Sequence, residues 1–246
     1  MKVAIQGIKG SFHDLVAKKY FGEQIEIMEC MTFSEIPVLL KNNTVDSAVM
    51  AIENSIAGAI LPNYALIDEY DLSIEGELYL NIHHHLLALK GQSIQDIREV
   101  WSHPMAILQC NKFFRDYPNI KLIEEKDTAE VAKRIQEKQI FNVAAIASKQ
   151  AASMYGLEII EDDIQTIKNN STRFFILKKA LETPFHESKM GGAKNKASLK
   201  FITKHKKREA WPRYLIFLPS MKSALQRSSL CLLLTNNGRM LSLLIS

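Results

Sequence analysis

The sequence predicts an α/β fold of two lobes with a ligand-binding cleft between them. Strand-like apolar segments alternate with segments of helical period, which is typical of a largely parallel sheet covered by helices. The alternation begins at residue 3, and a second set of strands and helices follows from about residue 78. Ligands of such sheets bind beyond the carboxyl ends of the strands, so functional residues are expected there.

The first unit has the order strand, helix, strand, helix, strand. Ser11 suits the N-cap of its first helix, and Asp14 adds a favourable negative charge to the first turn. An apolar face indicates the second helix. The predicted elements are strands Val3–Gln6, Glu26–Met28 and Ser47–Ile52 and helices Ser11–Tyr20 and Ser34–Lys41.

The second unit continues the alternation. A long strand, Leu78–Leu89, is predicted to open it, and Gly156 is expected to end an Ala-rich helix in the left-handed conformation. The other predicted elements are strands Val100–Trp101, Leu122–Glu124, Val143–Ile146 and Phe174–Leu177 and helices Pro104–Tyr117, Thr128–Glu137 and Ala147–Tyr155.

Composition argues against several classes of protein. No run of about eighteen apolar residues occurs, so no membrane-spanning helix is predicted. We expect a cytoplasmic protein, because a signal-peptide pattern is lacking and three scattered cysteines fit reduced thiols. The net charge of +4 comes from residues 203–246, which hold eight Lys or Arg and one Glu. A basic stretch confined to one segment does not favour nucleic-acid binding.

Four polar clusters stand where predicted strands end or helices begin. GIKGSFH at 7–13 offers backbone N–H groups to an anion. ENSIAG at 53–58 follows a buried strand, SHP at 102–104 precedes the helix that carries Gln109, and NSTRF at 170–174 precedes a strand. Each cluster has a structural alternative: a capped helix, an Asx-turn or a polar loop.

Taken together, the clusters resemble those of the prephenate dehydratase family. The matching segments, in the family order, are GIKGSFHDLVA, IENSIAGAI, SHPMAILQC, AAIAS…YGL and NNSTRFFIL. The resemblance runs from Met1 to about Lys204, and five motifs in order are far more specific than one. Met105 departs from the family, which often has Gln there.

The resemblance implies an enzyme that converts prephenate to phenylpyruvate in phenylalanine biosynthesis, on a fold like that of the two-lobed periplasmic binding proteins. It implies Thr172 as the catalytic residue and a homo-oligomer of two or four subunits. The substrate-binding residues expected from the resemblance and the polar clusters are Gly10, Ser11, Phe12, Asn54, Ser55, Ser102, Gln109 and Arg173. Arogenate dehydratase and a non-catalytic small-anion binding module on the same fold remain alternatives.

The chemistry requires no cofactor, because aromatisation drives the loss of CO2 and water from prephenate. Thr172 is a poor acid but can stabilise the departing oxygen by a hydrogen bond. Arg173 could pair with a substrate carboxylate or with a structural acid, and for Glu53 a structural role is favoured. The run His83–His85 invites a metal-site interpretation, but neighbours in a strand face opposite sides and no further ligand is evident, so no metal is expected.

We predict a catalytic domain at 1–180, with one lobe at about 1–78 plus 161–177 and the other at about 79–160, then a linker at 181–194. Residues 195–246 resemble an incomplete α+β ACT domain, which in the family binds phenylalanine as a feedback inhibitor. Its first strand is predicted at Ala197–Thr203. From about residue 206 the family motifs are missing, and no acidic residue follows Glu209. Permitted codons read in a shifted frame from Arg208 can restore ACT-like segments, so we hypothesise a frameshift and expect the phenylalanine site to be lost.

Overall fold

The computed structural model describes residues 1–180, 197–201, 230–234 and 241–245. The chain divides into two compact units, Met1–Glu182 and Thr183–Ser246. The first unit contains two β-sheets with helices packed on them. The predicted mixed α/β architecture is therefore confirmed.

Eleven strands and six helices are described in the first unit. The strands are β1 (Lys2–Gln6), β2 (Glu26–Cys30), β3 (Ser47–Asn54), β4 (Gly58–Ala59), β5 (Leu72–Asn81), β6 (His85–Ala88), β7 (Glu99–Ser102), β8 (Lys121–Glu124), β9 (Val143–Ala147), β10 (Glu158–Glu161) and β11 (Ser171–Lys179). The helices are α1 (Phe12–Phe21), α2 (Glu35–Lys41), α3 (Leu61–Glu69), α4 (Pro104–Phe114), α5 (Thr128–Lys138) and α6 (Lys149–Tyr155), with a 3₁₀ turn at Ile94–Asp96.

The first sheet has the strand order β2-β1-β3-β11-β5, with β4 paired to β3. Strand β1 runs parallel to β2 and β3, whereas β11 runs antiparallel to β3 and β5. Helix α1 buries Val16 and Ala17 against this sheet. As predicted, Ser11 caps α1: its hydroxyl accepts a hydrogen bond from the Asp14 N–H, at 3.3 Å.

The second sheet has the order β10-β6-β9-β7-β8 and is covered on both faces. Along β9, Val143, Ala145 and Ala147 belong to one apolar cluster with α5 and α6, and Ala144 and Ile146 belong to the cluster on the α4 side. Burial on both faces explains why this strand is apolar throughout. Gly156 ends α6 in the left-handed conformation, as predicted.

Two crossing segments, Ile82–His84 and residues 162–170, connect the sheets. They pair with each other: the Ile82 N–H donates to the Asn170 carbonyl at 2.7 Å, and the Ile164 N–H donates to the His84 carbonyl at 2.8 Å. The predicted single strand Leu78–Leu89 is wrong, because β5 ends at Asn81 in the first sheet and β6 begins at His85 in the second. No Gly or Pro marks the break, which falls at the run Asn-Ile-His-His-His of residues 81–85.

Helix α3 was not predicted. It begins after Ile60 without a capping side chain, and Pro62 in its first turn is the one helix-start signal that the sequence offers there. Strand β11 begins at Ser171, earlier than predicted, which puts Thr172 inside the strand rather than in a loop before it.

The described part of the second unit is a three-stranded antiparallel sheet of β12 (Ala197–Phe201), β13 (Leu230–Leu234) and β14 (Leu241–Ile245), in the order β12-β14-β13. Strand β12 falls within the predicted strand Ala197–Thr203. The predicted linker and most of the aberrant tail lie outside the described residues, and the ACT assignment stays a prediction. Among the described residues, no helix has the length and apolar character needed to cross a membrane.

Candidate active site

Thr172 and Asn54 meet at the end of the first sheet. They are paired residues of the antiparallel strands β11 and β3. The Asn54 Nδ2 group donates to the Thr172 hydroxyl oxygen at 3.0 Å. Because Thr172 accepts this bond at its oxygen, its own hydroxyl hydrogen remains free to be donated elsewhere.

A β-bulge sets the position of Asn54. The register of β3 against β11 shifts beyond Glu53, so that Arg173 pairs with Glu53 but Phe174 pairs with Ala51. Two buried side chains bind the Ala51 backbone: its N–H donates to His13 Nε2 at 3.3 Å, and its carbonyl accepts from Asn63 Nδ2 at 2.7 Å. Bulges redirect the side chains that follow them, and this one is held in place by side chains as well as by the ladder.

His13 must be neutral to accept that bond at Nε2. Its ring is buried between Phe33 and Phe174. Burial lowers the pKa of His13 to about 3, because the charged form would lose its hydration. The proton of the neutral ring is therefore on Nδ1.

Gln109 of the second lobe joins this site through Asn170. Asn54 Nδ2 also donates to Asn170 Oδ1 at 2.7 Å, and Asn170 Nδ2 donates to Gln109 Oε1 at 3.0 Å. His84 Nε2 lies 2.8 Å from the same Gln109 oxygen. The polar chain Thr172–Asn54–Asn170–Gln109–His84 therefore links both lobes through both crossing segments.

Two members of this chain, Asn170 and His84, were not predicted as site residues. Asn170 belongs to the NSTRF cluster at 170–174, but its position gave no sign that it would bridge the lobes. The run His83–His85 was considered only as a metal site. One sequence signal could have identified His84: it is a histidine without metal-ligand partners that stands next to a predicted lobe boundary.

The loop before α1 contacts the second lobe rather than standing open. The Ser148 hydroxyl donates to the Gly10 carbonyl at 3.0 Å, and the Tyr155 hydroxyl donates to the Lys9 carbonyl. Gly10 has φ +90°, and a Cβ there would lie 3.2 Å from the Tyr155 ring. Glycine is thus required both for the backbone conformation and for the close approach.

The predicted anion-binding N–H groups of this loop are partly occupied by the protein itself. The Gly10 N–H donates to Asp14 Oδ2 at 2.8 Å, and the Ser11 N–H donates to the Ile8 carbonyl at 3.1 Å. Phe12 reaches the polar chain with its ring, whose centroid lies 5.8 Å from that of His84 in an edge-to-face contact. Of the three predicted residues Gly10, Ser11 and Phe12, it is thus Phe12, the first residue of α1, that contacts the polar chain.

Ser55, Ser102 and Arg173 make other contacts. Ser55 accepts from the Ser171 N–H at 2.9 Å and so lies beside Thr172. Ser102 is completely buried, and its hydroxyl donates to the Ile146 carbonyl at 2.7 Å.

Arg173 pairs with structural acids. It donates from Nε to Glu77 at 2.8 Å, lies 3.8 Å from Glu53, and stacks on Tyr79 and Phe175. This is the structural alternative considered for Arg173 and for Glu53. As neighbours in a strand, Arg173 and Thr172 face opposite sides of the sheet.

No group of three or more His, Cys, Asp or Glu side chains suited to a metal ion occurs among the described residues. His83 and His85 instead pair with Asp163 and Asp162, at 2.7 and 2.8 Å. A cavity of about 260 Å³ lies nearby. Its lining residues are Phe12, Leu15, Asn81, His83, His85, Ser148, Lys149, Gln150 and Asp163.

A model of the prephenate dehydratase family matches residues 3–182, which contain every residue of the polar chain. The chain belongs to the prephenate dehydratase family. Arogenate dehydratase/prephenate dehydratase 2 of Arabidopsis thaliana is 38% identical over 179 residues, 72% of this chain and 46% of that protein. The bifunctional chorismate mutase/prephenate dehydratase of Buchnera aphidicola from Acyrthosiphon pisum is 34% identical over 176 residues, 70% of this chain and 46% of that protein.

The fold is shared with solved structures of the prephenate dehydratase family. The crystal structure of a prephenate dehydratase from Arthrobacter aurescens in complex with L-Phe matches with a TM-score of 0.80 at 19% identity, covering 100% of this chain and 80% of that one. At this identity the likeness concerns the fold alone. This prephenate dehydratase family member spans about half the length of the curated relatives it matches.

Proposed function

We propose that this protein converts prephenate to phenylpyruvate. The observation that carries the proposal is the Asn54–Thr172 hydrogen bond, at 3.0 Å, within the family's matched segment. The bond leaves the Thr172 hydroxyl hydrogen available to a ligand. A hydroxyl group that departs develops negative charge on its oxygen, and a hydrogen-bond donor stabilises that charge.

The proposed reaction breaks two bonds and requires no redox partner. The bond between the ring and its carboxylate breaks, and its electron pair completes the aromatic ring while the C–O bond on the opposite ring carbon breaks. CO2 leaves, and the departing hydroxide takes up one proton from solvent to become water. Thr172 donates a hydrogen bond to the oxygen as negative charge develops on it, without having to lose its own proton.

The substrate is a dianion, so its carboxylates need hydrogen-bond donors. We assign the Gln109 amino group to a carboxylate, because its oxygen already accepts from Asn170 and its Nε2 has no hydrogen bond within the described residues. Asn54, Ser55 and Phe12 line the same end of the sheet. We assign Ser102 and Arg173 to supporting these residues, since both are buried and bonded to the protein.

The test is turnover by the purified full chain. We expect phenylpyruvate from prephenate without added metal or nucleotide. Binding of prephenate by calorimetry without turnover would reject the enzyme in favour of a small-anion binding module. If the chain neither binds nor converts prephenate, both the enzyme and the binding module are rejected.

Arogenate dehydratase is the second candidate, because the Arabidopsis relative carries both names. Arogenate has an amine where prephenate has a ketone, so the two substrates differ at one group. Parallel assays at equal substrate concentration decide between them by the ratio of kcat/KM. A higher value for arogenate would overturn the proposed substrate preference.

We also propose a homo-oligomeric protein of the cytoplasm that does not respond to phenylalanine. The cytoplasmic assignment is supported by Cys30 and Cys110, which are both free and buried. The lack of response follows from the missing ACT motifs after about residue 206. Light scattering of the purified chain tests the oligomer.

A further inference from the structure

We infer that His84 is a positioning residue, whose Nε2–H group holds the Gln109 side-chain oxygen and thereby presents the Gln109 amino group to a substrate carboxylate. The inference rests on the proposed function, because it assigns Gln109 to the substrate. It is carried by the direction of every hydrogen bond in the polar chain, which can be worked out from the backbone outward.

Two backbone N–H groups determine which atom donates in the first hydrogen bond of the polar chain. Asn54 Oδ1 accepts from the N–H groups of Ile56 and Ala57, at 3.0 and 2.9 Å. A backbone N–H can only donate, so the oxygen of Asn54 must face this turn and its amino group must face the other way. That amino group reaches Thr172 and Asn170, as described above.

The next two amides follow from the first. Because Asn54 donates, the Asn170 atom 2.7 Å from it must be the acceptor Oδ1. Asn170 Nδ2 then faces Gln109, and the Gln109 atom 3.0 Å away must be Oε1. Neither amide can be flipped without placing two donors or two acceptors against each other.

The same reasoning determines the proton on His84. Gln109 Oε1 is an acceptor, so the His84 Nε2 atom 2.8 Å from it must carry hydrogen. A second observation is compatible with this: His84 Nδ1 is buried and has no hydrogen-bond partner within the described residues, so no acceptor there would hold a proton on it. Burial lowers the pKa of His84 to about 4, which keeps the ring neutral with a single proton.

Gln109 is therefore held at its oxygen by two donors from different segments. Without His84, one bond from Asn170 would remain, and a glutamine side chain held at one point can rotate its amino group away from the cleft. The His84 ring is itself fixed by burial and by the edge contact with Phe12. His84 thus acts through Gln109 and need not touch the substrate.

Three substitutions at His84 separate positioning from space filling. His84→Gln can place an N–H where Nε2 is, whereas His84→Asn places it near Nδ1, and His84→Phe keeps the ring but has no donor. We expect His84→Gln to keep kcat/KM for prephenate within about threefold, and the other two to lose about tenfold to a hundredfold, the worth of a hydrogen bond to a charged group. A structural role would give the opposite order, with His84→Phe best, and would overturn the inference.

A matched control is His83→Gln. His83 is half exposed and pairs with Asp163 instead of Gln109, so kcat/KM should stay unchanged. A loss equal to that of His84→Asn would attribute the effect to the crossing segment as a whole and contradict the inference. Melting temperatures of all variants identify any that fail to fold.

A measurement independent of activity is the tautomer of His84 in the 15N-histidine-labelled full chain. We expect Nε2 to carry the proton in His84 and Nδ1 to carry it in His13, with His84→Gln used for assignment. Substituting Gln109→Ala should shift the His84 Nε2 resonance. An Nδ1–H tautomer at His84, or no shift, would overturn the inference. If the chain does not act on prephenate at all, this measurement still decides the hydrogen-bond direction, so the two failures are distinguishable.

Discussion

Acid should destabilise this protein through two histidines that the fold keeps uncharged. Burial lowers the pKa of His13 to about 3 and that of His84 to about 4. A histidine in an unfolded chain has a pKa of about 6.5, so below that pH the unfolded chain binds more protons than the folded one. The stability that the two neutral histidines contribute is thus fully present above the pKa of the unfolded chain. It is lost as the pH falls toward the lower pKa values of the folded protein.

The size of the loss follows from the width of this window. Each histidine contributes a slope of about 1.4 kcal/mol per pH unit while only the unfolded form is protonated. Between about pH 7 and pH 5, each lowers the free energy of unfolding by about 2 kcal/mol, and the pair by about 4 kcal/mol. Both side chains are buried, so solvent screening does not reduce this figure greatly.

The assay is urea unfolding followed by circular dichroism at a series of pH values. Carboxylates titrate in wild type and variant alike, so the difference between wild type and His84→Gln isolates one histidine. The variant should lose about 2 kcal/mol less than wild type between about pH 7 and pH 5. Equal losses would refute the reasoning, because His84 would then titrate alike in both states.

Four further experiments test these interpretations. Asn63→Ala should lower the free energy of unfolding by about 1–3 kcal/mol, because it leaves the buried Ala51 carbonyl without its 2.7 Å donor; unchanged urea stability would contradict this. Gly10→Ala should lower the melting temperature more than Gly22→Ala, since both have φ near +90° but a Cβ would meet the Tyr155 ring only at Gly10; equal losses would contradict the lobe contact. Calorimetry should detect no phenylalanine binding, because the ACT motifs are missing, whereas binding at concentrations that inhibit a relative would contradict the loss of that site. An undisturbed reading frame in the DNA encoding Lys204–Glu209 would reject the frameshift.

The sequence was most informative where one local rule decides the structure. Ser11 and Asp14 start α1 as predicted, and Gly156 ends α6, because capping and left-handed backbone depend on residue type. The break between β5 and β6 was missed because no Gly or Pro marks it. The start of α3 was missed because it has no capping side chain, although Pro62 stands in its first turn. There, packing against the rest of the chain decides the structure.

At the candidate site, the sequence motifs identified several residues but did not indicate which residues they would hydrogen-bond. Thr172, Asn54 and Gln109 lie in one hydrogen-bonded chain, although they are far apart in sequence. The sequence could not indicate that the hydroxyl of Ser102 is directed to a neighbouring strand, or that His84 meets Gln109. Hydrogen-bond direction depends on which atoms the fold brings together, and residue spacing does not contain that information.

The central claim is that the Thr172 hydroxyl, directed by Asn54, assists departure of the hydroxyl group of prephenate. The most direct measurement is kcat on prephenate for Thr172→Ala beside Thr172→Ser. We expect Thr172→Ala to lose about a hundredfold or more, as for one lost transition-state donor, and Thr172→Ser, which keeps the hydroxyl, to retain most activity. Full activity in Thr172→Ala would contradict the account.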